Sequence, residues 1–389
     1  MSNNRVLNFG AGPAKIPQSV LKKAQDELLD FDHTGMSILE ISHRTKPFAN
    51  VMARTKESLR QLLDIPDNYD ILFMQGGAST QFAAVFYNLL AAKQEELRKL
   101  GREKETIVVD YFVTGTWSAR AAVEAERLAA TVSQPVHVNR VVDVKQQTGQ
   151  FGSIPSTWNL TDPAKNNVAY VYYCDNETIH GVEFPQRPEI DPSVPLVADI
   201  SSNFLSRPMD VSKHGVIYGG AQKNLGPAGV SIIIIRKDLL TDLSLGPVRP
   251  LMLDYATMAK HDSMYNTPPT FAIYIVGLTL EWLLEQGGLS GIEEANARKA
   301  KKLYDVIEQS KIYTSPVQAG CRSRMNVVFR LTEALEKEFL AGAEARNMVQ
   351  LKGHRSVGGV RASIYNATPE EDVDILIDYM KEFEKEHTK

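Results

Sequence analysis

Short apolar segments that alternate with helical patterns constrain the fold of this chain more than any other feature of its sequence. Six such segments, rich in β-branched residues, are predicted to be strands; they cover residues 71–74, 106–112, 168–174, 196–199, 216–218 and 230–235. Helical patterns follow the first two, at about 79–92 and 117–128. Strands that alternate with helices form a parallel or mixed sheet covered on both faces. We therefore predict an α/β fold whose ligands lie at the carboxyl ends of the strands.

The pattern changes after about residue 268. Two further strands are predicted, at 325–331 and 359–364, among four helical patterns, at 271–284, 291–309, 332–346 and 369–387. The 389 residues exceed one core of ordinary size, so two domains are expected. The predicted division is a large domain over residues 17–267 and a smaller α+β domain built from residues 1–16 and 268–389.

Composition excludes several classes of protein. The formal net charge is −4, so the overall balance does not favour nucleic-acid binding. Two cysteines are too few for a disulfide framework and favour a reducing, cytoplasmic setting. The N-terminus lacks the apolar core of a secretory signal, and the most apolar run, at 230–235, is far too short to span a bilayer. No metal site is predicted.

One lysine lies in a glycine-rich turn between two apolar strands. The turn contains Gly219, Gly220, Gln222 and Lys223 and precedes the strand at 230–235. A lysine whose backbone is fixed between core elements can be buried, and burial lowers its pKa. Such an amine is a nucleophile that forms a Schiff base with an aldehyde. From this segment alone, a loop lysine with a solvated amine is the alternative.

Two upstream segments favour the catalytic interpretation. Asp199 ends an apolar strand and could hydrogen-bond a pyridinium nitrogen, although aspartate after a strand is also a common turn cap. Residues 75–82 (QGGASTQF) join a strand to a helix, where the amides near Ala78 and Ser79 can form an anion site. Glycine pairs also begin ordinary helices, and this segment matches neither a Walker loop nor a Rossmann glycine pattern.

The glycine- and proline-rich segment at 8–14 (NFGAGPA) cannot be regular structure. Its composition is typical of a loop. Either it is a surface loop or it folds over a substrate, and its spacing alone does not distinguish the two.

The order of these features resembles that of fold-type I pyridoxal phosphate enzymes. More narrowly, several runs resemble the phosphoserine aminotransferase family of class-V aminotransferases. These runs are NFGAGPA at 8–14, ISHR at 41–44, NETIHG at 176–181, GAQKN at 220–224, YNTPPT at 265–270 and GHRSVGGVRAS at 353–363. The resemblance covers nearly the whole chain, and the runs occur in the family's order. It implies a fold-type I architecture with a mainly parallel sheet between helices.

The resemblance also implies a pyridoxal 5′-phosphate cofactor. It assigns Lys223 as the catalytic Schiff-base lysine and Asp199 as the partner of the ring nitrogen. Trp117 would stack on the ring, unless it is an ordinary core aromatic at a helix start. The other implied cofactor contacts are Ala78, Ser79, Thr178 and Gln222, together with Asn266 and Thr267 of the neighbouring subunit. The last pair implies a homodimer with shared active sites.

Substrate binding requires further positive charge. Arginine bonds a carboxylate or a phosphate through two parallel N–H groups, although a single arginine is also consistent with a surface ion pair. The resemblance assigns Arg361 to the α-carboxylate. It assigns the second anion to a set of basic residues, namely His43, Arg44, His354 and Arg355, some of them from the partner subunit.

The implied reaction is transfer of an amino group from L-glutamate to 3-phosphohydroxypyruvate, which yields O-phospho-L-serine and 2-oxoglutarate in serine biosynthesis. Lys223 would act as the general base at the α-carbon. The sequence leaves open whether 4-phosphohydroxythreonine, in pyridoxine biosynthesis, is a second substrate.

Two other interpretations are retained. An alanine–glyoxylate or serine–glyoxylate aminotransferase would share the fold, but a small neutral substrate needs no second anion pocket. A non-catalytic phosphate-binding or scaffold protein would lack the cofactor. The sequence also departs from many family members at Ser79, where an arginine is common, so other basic residues are expected to hold the substrate phosphate.

Overall fold

The computed structural model describes residues 5–388, in which thirteen strands and ten α-helices are present. The strands are β1 (Leu7–Asn8), β2 (Tyr69–Met74), β3 (Ile107–Val113), β4 (Val136–Asp143), β5 (Asn167–Cys174), β6 (Asn176–Glu177), β7 (Val182–Glu183), β8 (Leu196–Asp199), β9 (Val216–Gly220), β10 (Ser231–Arg236), β11 (Asn326–Phe329), β12 (Met348–Val349) and β13 (Val360–Ser363). The helices are α1 (Gln18–Asp26), α2 (Lys46–Leu63), α3 (Gly77–Lys99), α4 (Thr116–Ala129), α5 (Val144–Thr148), α6 (Tyr255–Lys260), α7 (Thr270–Glu285), α8 (Gly288–Gln309), α9 (Glu333–Ala345) and α10 (Glu370–His387).

A seven-stranded mixed sheet forms the centre of the fold, in the order β2-β10-β9-β8-β5-β3-β4. Strand β10 is antiparallel to both of its neighbours, and the other pairs are parallel. The prediction of an α/β fold with a mainly parallel sheet is therefore confirmed. All six strands that were predicted before residue 268 belong to this sheet.

Both faces of the central sheet are buried, which explains why its strands are apolar at nearly every position. Ile232 and Ile234 of β10 pack into one apolar cluster, whereas Ile233 and Ile235 pack into a second one. Successive side chains of a strand point to opposite faces, so the two clusters lie on opposite sides of the sheet.

The sequence patterns did not reveal β4, α1 or α2. Strand β4 is at the edge of the sheet and its residues are mostly half-buried, so it lacks a continuous apolar run. Helix α2 packs against α7 with one apolar side that includes Phe48, Met52 and Leu59.

The elements after α7 surround a separate apolar cluster. It contains Phe9 and side chains from α8 to α10, with Phe329 of β11 and Val360 of β13. Strands β11 and β13 pair in antiparallel fashion, and β1 pairs in parallel with β12. The N-terminal strand therefore joins the C-terminal part of the chain. Residues 1–4 and 389 of the predicted small domain lie outside the described residues.

Candidate active site

The direction of the strands brings the candidate residues to one edge of the sheet. Because β10 is antiparallel to both neighbours, β2 runs in the same direction as β9, β8, β5 and β3. Their carboxyl ends surround a cavity of about 170 Å³. Lys223, Asp199, Trp117, Gln222 and the segment Gly76 to Ser79 line it, as do Cys174, Asn176 and Ser201. The cavity thus lies at the carboxyl ends of the strands, where ligands are predicted to bind.

Lys223 lies in the turn after β9, and its amine faces the cavity. Lys223 Nζ donates a hydrogen bond to Thr178 Oγ1 at 2.6 Å and lies 5.3 Å from the centre of the Trp117 ring. Burial lowers the pKa of Lys223, and the Asp199 carboxylate opposes this shift. The structure thus brings three of the predicted residues, Thr178, Trp117 and Asp199, close to one buried amine.

Asp199 ends β8 and is buried, with only 3% of its surface exposed. Its Oδ1 accepts hydrogen bonds from the amide and the hydroxyl of Ser201, at 2.9 and 2.6 Å. Its Oδ2 accepts from the hydroxyl of Tyr218 at 3.2 Å, and burial followed by the Asp199 charge raises the pKa of Tyr218. The hydrogen bonds from Ser201 are those of a turn cap, yet Asp199 also lines the cavity.

The glycine turn after β2 presents the N-terminus of α3 to the cavity. Gly76 and Gly77 have φ values of 98° and 68°, which favour glycine, and a Cβ at Gly76 would lie 2.1 Å from Thr80 Oγ1. The N-cap residue of this 23-residue helix is Gly76, which has no side chain to cap the first turn. The free amides near Ala78 and Ser79, together with the helix dipole, can therefore bind an anion.

Sequence reasoning missed Glu177, which holds the N-terminus of α4. This buried carboxylate accepts hydrogen bonds from the amides of Trp117 and Ser118, at 2.9 and 2.8 Å, and from the Ser118 hydroxyl at 2.6 Å. Burial raises the pKa of Glu177, and these hydrogen bonds oppose the shift. Glu177 thereby orients Trp117, whose Nε1 is buried without a hydrogen-bond partner in residues 5–388.

His180 contacts the same helix terminus and was also given no role from the sequence. One of its ring nitrogens lies 2.8 Å from Thr116 Oγ1. Burial, with a smaller contribution from His354, lowers the pKa of His180 to about 4. The imidazole is therefore neutral at pH 7. Both residues belong to the run at 176–181, in which only Thr178 was assigned a role from the sequence.

The glycine-rich segment at 8–14 lies across Lys223. A Cβ added to Gly12, whose φ is 136°, would lie 3.2 Å from Lys223 Cγ. The amide of Ala14 donates to the carbonyl of Gln222 at 2.9 Å. The sequence left open a surface loop or a loop folded over a substrate; the structure places this loop against Lys223 and Gln222, both of which line the cavity.

Arg361 is the residue of the predicted substrate-binding set whose charge acts on Lys223. It is on β13, its Nε is buried without a partner among the described residues, and burial lowers its pKa. Its charge also contributes to the lowered pKa of Lys223. A partly buried guanidinium whose Nε has no partner among the described residues is suited to bind an anionic group.

The remaining predicted residues do not line this cavity. Burial, followed by the charges of Arg361 and Arg355, lowers the pKa of His354, while the Arg355 side chain is exposed. His43 has a buried Nε2 without a partner in the described part of the chain, and Arg44 is exposed. Asn266 and Thr267 are exposed too; the Thr267 carbonyl accepts from Gln75 Nε2 at 3.4 Å. A single chain thus leaves these residues outside the cavity of Lys223.

Two structural features bear on other classes of site. Within residues 5–388, no helix combines the length and apolar character needed to cross a bilayer. In the same range, no group of three or more His, Cys, Asp or Glu side chains is arranged to hold a metal ion.

Comparisons with known proteins agree with this geometry. The family model for class-V aminotransferases matches residues 6–376. The phosphoserine aminotransferase of Nitrosomonas europaea is 48% identical over 392 residues, which cover 98% of this chain and 99% of that protein. The solved phosphoserine aminotransferase of Bacillus circulans subsp. alkalophilus has a TM-score of 0.88 and 42% identity, covering 99% of this chain and 100% of that one. A pyridoxal phosphate-bound phosphoserine aminotransferase from Trichomonas vaginalis has a TM-score of 0.86 and 41% identity, covering 97% and 100%. The chain therefore belongs to the class-V aminotransferase family, within its phosphoserine aminotransferase branch.

Proposed function

We propose that this chain is a pyridoxal phosphate-dependent transaminase that reversibly transfers the amino group of L-glutamate to 3-phosphohydroxypyruvate. The products are 2-oxoglutarate and O-phospho-L-serine, the precursor of serine. The observation that carries the proposal is the position of Lys223, whose amine faces a cavity between the Asp199 carboxylate and the N-terminus of α3. Arg361, whose Nε has no hydrogen-bond partner among the described residues, adds a positive charge that acts on this amine.

The residues present fit pyridoxal phosphate. The first turn of α3 has free amides for a phosphate, Asp199 supplies a buried carboxylate for the ring nitrogen, and Lys223 supplies the amine for the aldehyde. Trp117 has a ring face beside Lys223, suited to stacking on an aromatic ring. When bound, the cofactor withdraws electrons from the α-carbon of an amino acid and so weakens its C–H bond.

Each side chain has a defined task in this proposal. Lys223 Nζ takes the α-proton as a general base, and its lowered pKa keeps more of the amine neutral near pH 7. Thr178 orients that amine and is proposed to reach the ring oxygen as well. Asp199, held by Ser201 and Tyr218, would keep the ring nitrogen of the bound cofactor protonated. The phosphate contacts are proposed for Ala78, Ser79 and Gln222.

Substrate binding is proposed to involve two subunits. Arg361 binds the α-carboxylate, because its guanidinium is partly buried and unpaired in the described structure. The second anionic group of the substrate is bound by a set of basic residues, some of them from the partner subunit: His43, Arg44, His354 and Arg355. These residues and the pair Asn266 and Thr267 are outside the cavity in one chain, which supports a homodimer with shared active sites. No arginine occupies position 79, so this basic set holds the substrate phosphate.

We further propose that residues 17–267 form the cofactor-binding domain and that residues 1–16 with 268–389 form a smaller domain. The separate apolar cluster around Phe9, Phe329 and Val360 supports this division. A cytoplasmic location is proposed from the two free cysteines, Cys174 and Cys321, both of which are buried.

A spectral titration tests the proposed function. Purified protein with pyridoxal phosphate should show an absorbance band near roughly 400–420 nm, and O-phospho-L-serine and L-glutamate should each reduce it. L-Alanine is the matched competitor, because it lacks a second anionic group. A faster reaction with alanine would favour an alanine–glyoxylate aminotransferase. A protein that never develops the band would favour a non-catalytic phosphate-binding protein.

Replacement of the lysine tests its role separately. Lys223→Ala should abolish both the band and turnover. Lys213→Ala is the control, because Lys213 is an exposed lysine of the same part of the chain. Turnover that persists in Lys223→Ala would contradict the assignment.

A further inference from the structure

Tyr365 lies behind the candidate site, in the segment that follows β13, and its hydroxyl connects distant parts of the chain. Tyr365 Oη donates a hydrogen bond to the carbonyl of Ala11 at 2.8 Å and accepts one from Asn326 Nδ2 at 3.1 Å. The tyrosine and Asn326 are almost fully buried, at 1% and 0% exposure. A buried hydroxyl that both donates and accepts has one defined orientation.

The network behind this hydroxyl leads back to the cofactor cavity. Asn326 Nδ2 also donates to Ser363 Oγ at 3.0 Å, and Asn326 Oδ1 accepts from Asn176 Nδ2 at 2.8 Å. Asn176 lines the cavity that contains Lys223. A single chain of hydrogen bonds therefore runs from the cavity wall through Asn326 and Tyr365 to the loop that covers the cavity.

That loop has few other attachments at its centre. It is fixed at one end by the amide of Ser363, which donates to the carbonyl of Phe9 at 3.1 Å, and at the other by Ala14, whose amide donates to Gln222. Between these ends, the Ala11 carbonyl to Tyr365 bond is the one that joins the loop to another segment of the described chain. Gly12, the next residue, lies over Lys223.

We infer that Tyr365 is a positioning residue of the active site, whose hydroxyl holds the loop at 10–13 closed over Lys223. The loop limits water at the amine and fixes the side chain on which Gly12 packs. The expected effect on turnover rests on the proposed role of Lys223. Closure of the loop does not, because it is a property of the protein without substrate.

The direct test is hydrogen exchange of the peptide at 8–14 in Tyr365→Phe. Loss of the hydroxyl should speed exchange in this peptide by about fivefold, the factor expected for one net hydrogen bond. Tyr313→Phe is the matched control, because Tyr313 is also buried at 2% exposure and donates to a backbone carbonyl, that of Met380, at 2.9 Å. It should lose similar stability without faster exchange at 8–14. Equal exchange in the two variants and the wild type would overturn the inference.

A second variant keeps the tyrosine and changes its partner, Asn326, from a hydrogen-bond donor to an acceptor. In Asn326→Asp, the new carboxylate can only accept, so the Tyr365 hydroxyl should turn towards it and away from Ala11. The loop should then exchange faster, as in Tyr365→Phe, and turnover at saturating glutamate and 3-phosphohydroxypyruvate should fall in both variants but not in Tyr313→Phe. Faster exchange without any loss of turnover would refute the positioning role and leave the proposed function intact. Absence of transaminase activity in the wild type would refute the function and leave the exchange result unaffected.

Discussion

Replacing Glu177 with glutamine should loosen the N-terminus of α4 and release Trp117. The carboxylate accepts three hydrogen bonds, two from backbone amides and one from the Ser118 hydroxyl. A glutamine keeps one acceptor oxygen, which can still serve Ser118. Its NH₂ group would then face the amide of Trp117, so that two donors meet.

The magnitude follows from these contacts. A buried N–H without an acceptor costs about 1–3 kcal/mol. Loss of a negative charge at the N-terminus of a helix costs up to about 2 kcal/mol where the site is partly buried. Because burial raises the pKa of Glu177, removal of its charge offsets part of this cost. We expect a net loss of about 2 kcal/mol in the free energy of unfolding.

The assay is urea unfolding of the cofactor-free protein, monitored through the fluorescence emission of Trp117 alone. Trp158→Phe and Trp282→Phe remove the other two tryptophans. In Glu177→Gln, the native emission should shift to longer wavelength, because the first turn of α4 opens and the indole meets water. Glu183→Gln is the control. Glu183 is buried on the same hairpin, where its backbone pairs with that of Asn176, and its carboxylate accepts from the Arg324 amide rather than from α4.

Glu183→Gln should lose stability without a change in the emission of Trp117. A loss below about 0.5 kcal/mol in Glu177→Gln, with the emission wavelength of the parent, would refute this role of Glu177. Loss of the cap on α4 and the meeting of two N–H donors should each lower stability or expose Trp117.

Three further predictions follow from the same site. Gly115→Ala should lower the free energy of unfolding in urea by about 1–3 kcal/mol, because its Cβ would lie 2.2 Å from the Glu177 carboxyl carbon. Gly320→Ala, whose Cβ would have no atom within 4 Å, should lose little stability, and equal losses would contradict the steric argument. Capture of pyridoxal phosphate by the cofactor-free protein should reach half its maximal rate below pH 10.5, because only the neutral amine attacks and burial lowers the pKa of Lys223; a midpoint at or above 10.5 would count against a buried amine. Arg361→Lys should lower kcat/KM for glutamate about 10- to 100-fold with the cofactor absorbance unchanged, because the paired N–H contacts of arginine are lost, and a change below about twofold would exclude Arg361 as the carboxylate ligand.

Much of the fold could be predicted because its signals are local. The buried strands of a mainly parallel sheet are apolar at nearly every position, so β5, β8 and β10 were visible as short runs bounded by turns. Strand β4 was missed because most of its residues are only half-buried and include polar ones such as Asn139 and Arg140. The antiparallel direction of β10 was not visible either, since a run of isoleucines has no direction.

The candidate site divides in the same way. Lys223, Asp199 and the turn at 76–79 each follow a strand, and their residue types suggested their chemistry before their distances were known. Glu177 and His180 were not assigned roles, although they lie beside Thr178 in a run that the sequence had already singled out. Their task depends on the approach of α4, which is about 60 residues earlier in the chain.

The sequence by itself determined the fold class, the order of the motifs and the residues that can carry amine chemistry, because periodicity, turn residues and short motifs are properties of neighbouring positions. Only the tertiary structure decided which of these residues meet. The carboxyl ends of β9, β8, β5 and β3 meet at one edge because these strands are parallel, and that of β2 joins them because β10 is antiparallel to both of its neighbours. Tyr365 reaches Ala11 across 354 positions because β1 joins the C-terminal part of the chain. Hydrogen bonds and pKa shifts depend on such approaches within a few ångströms, and no local pattern encodes them.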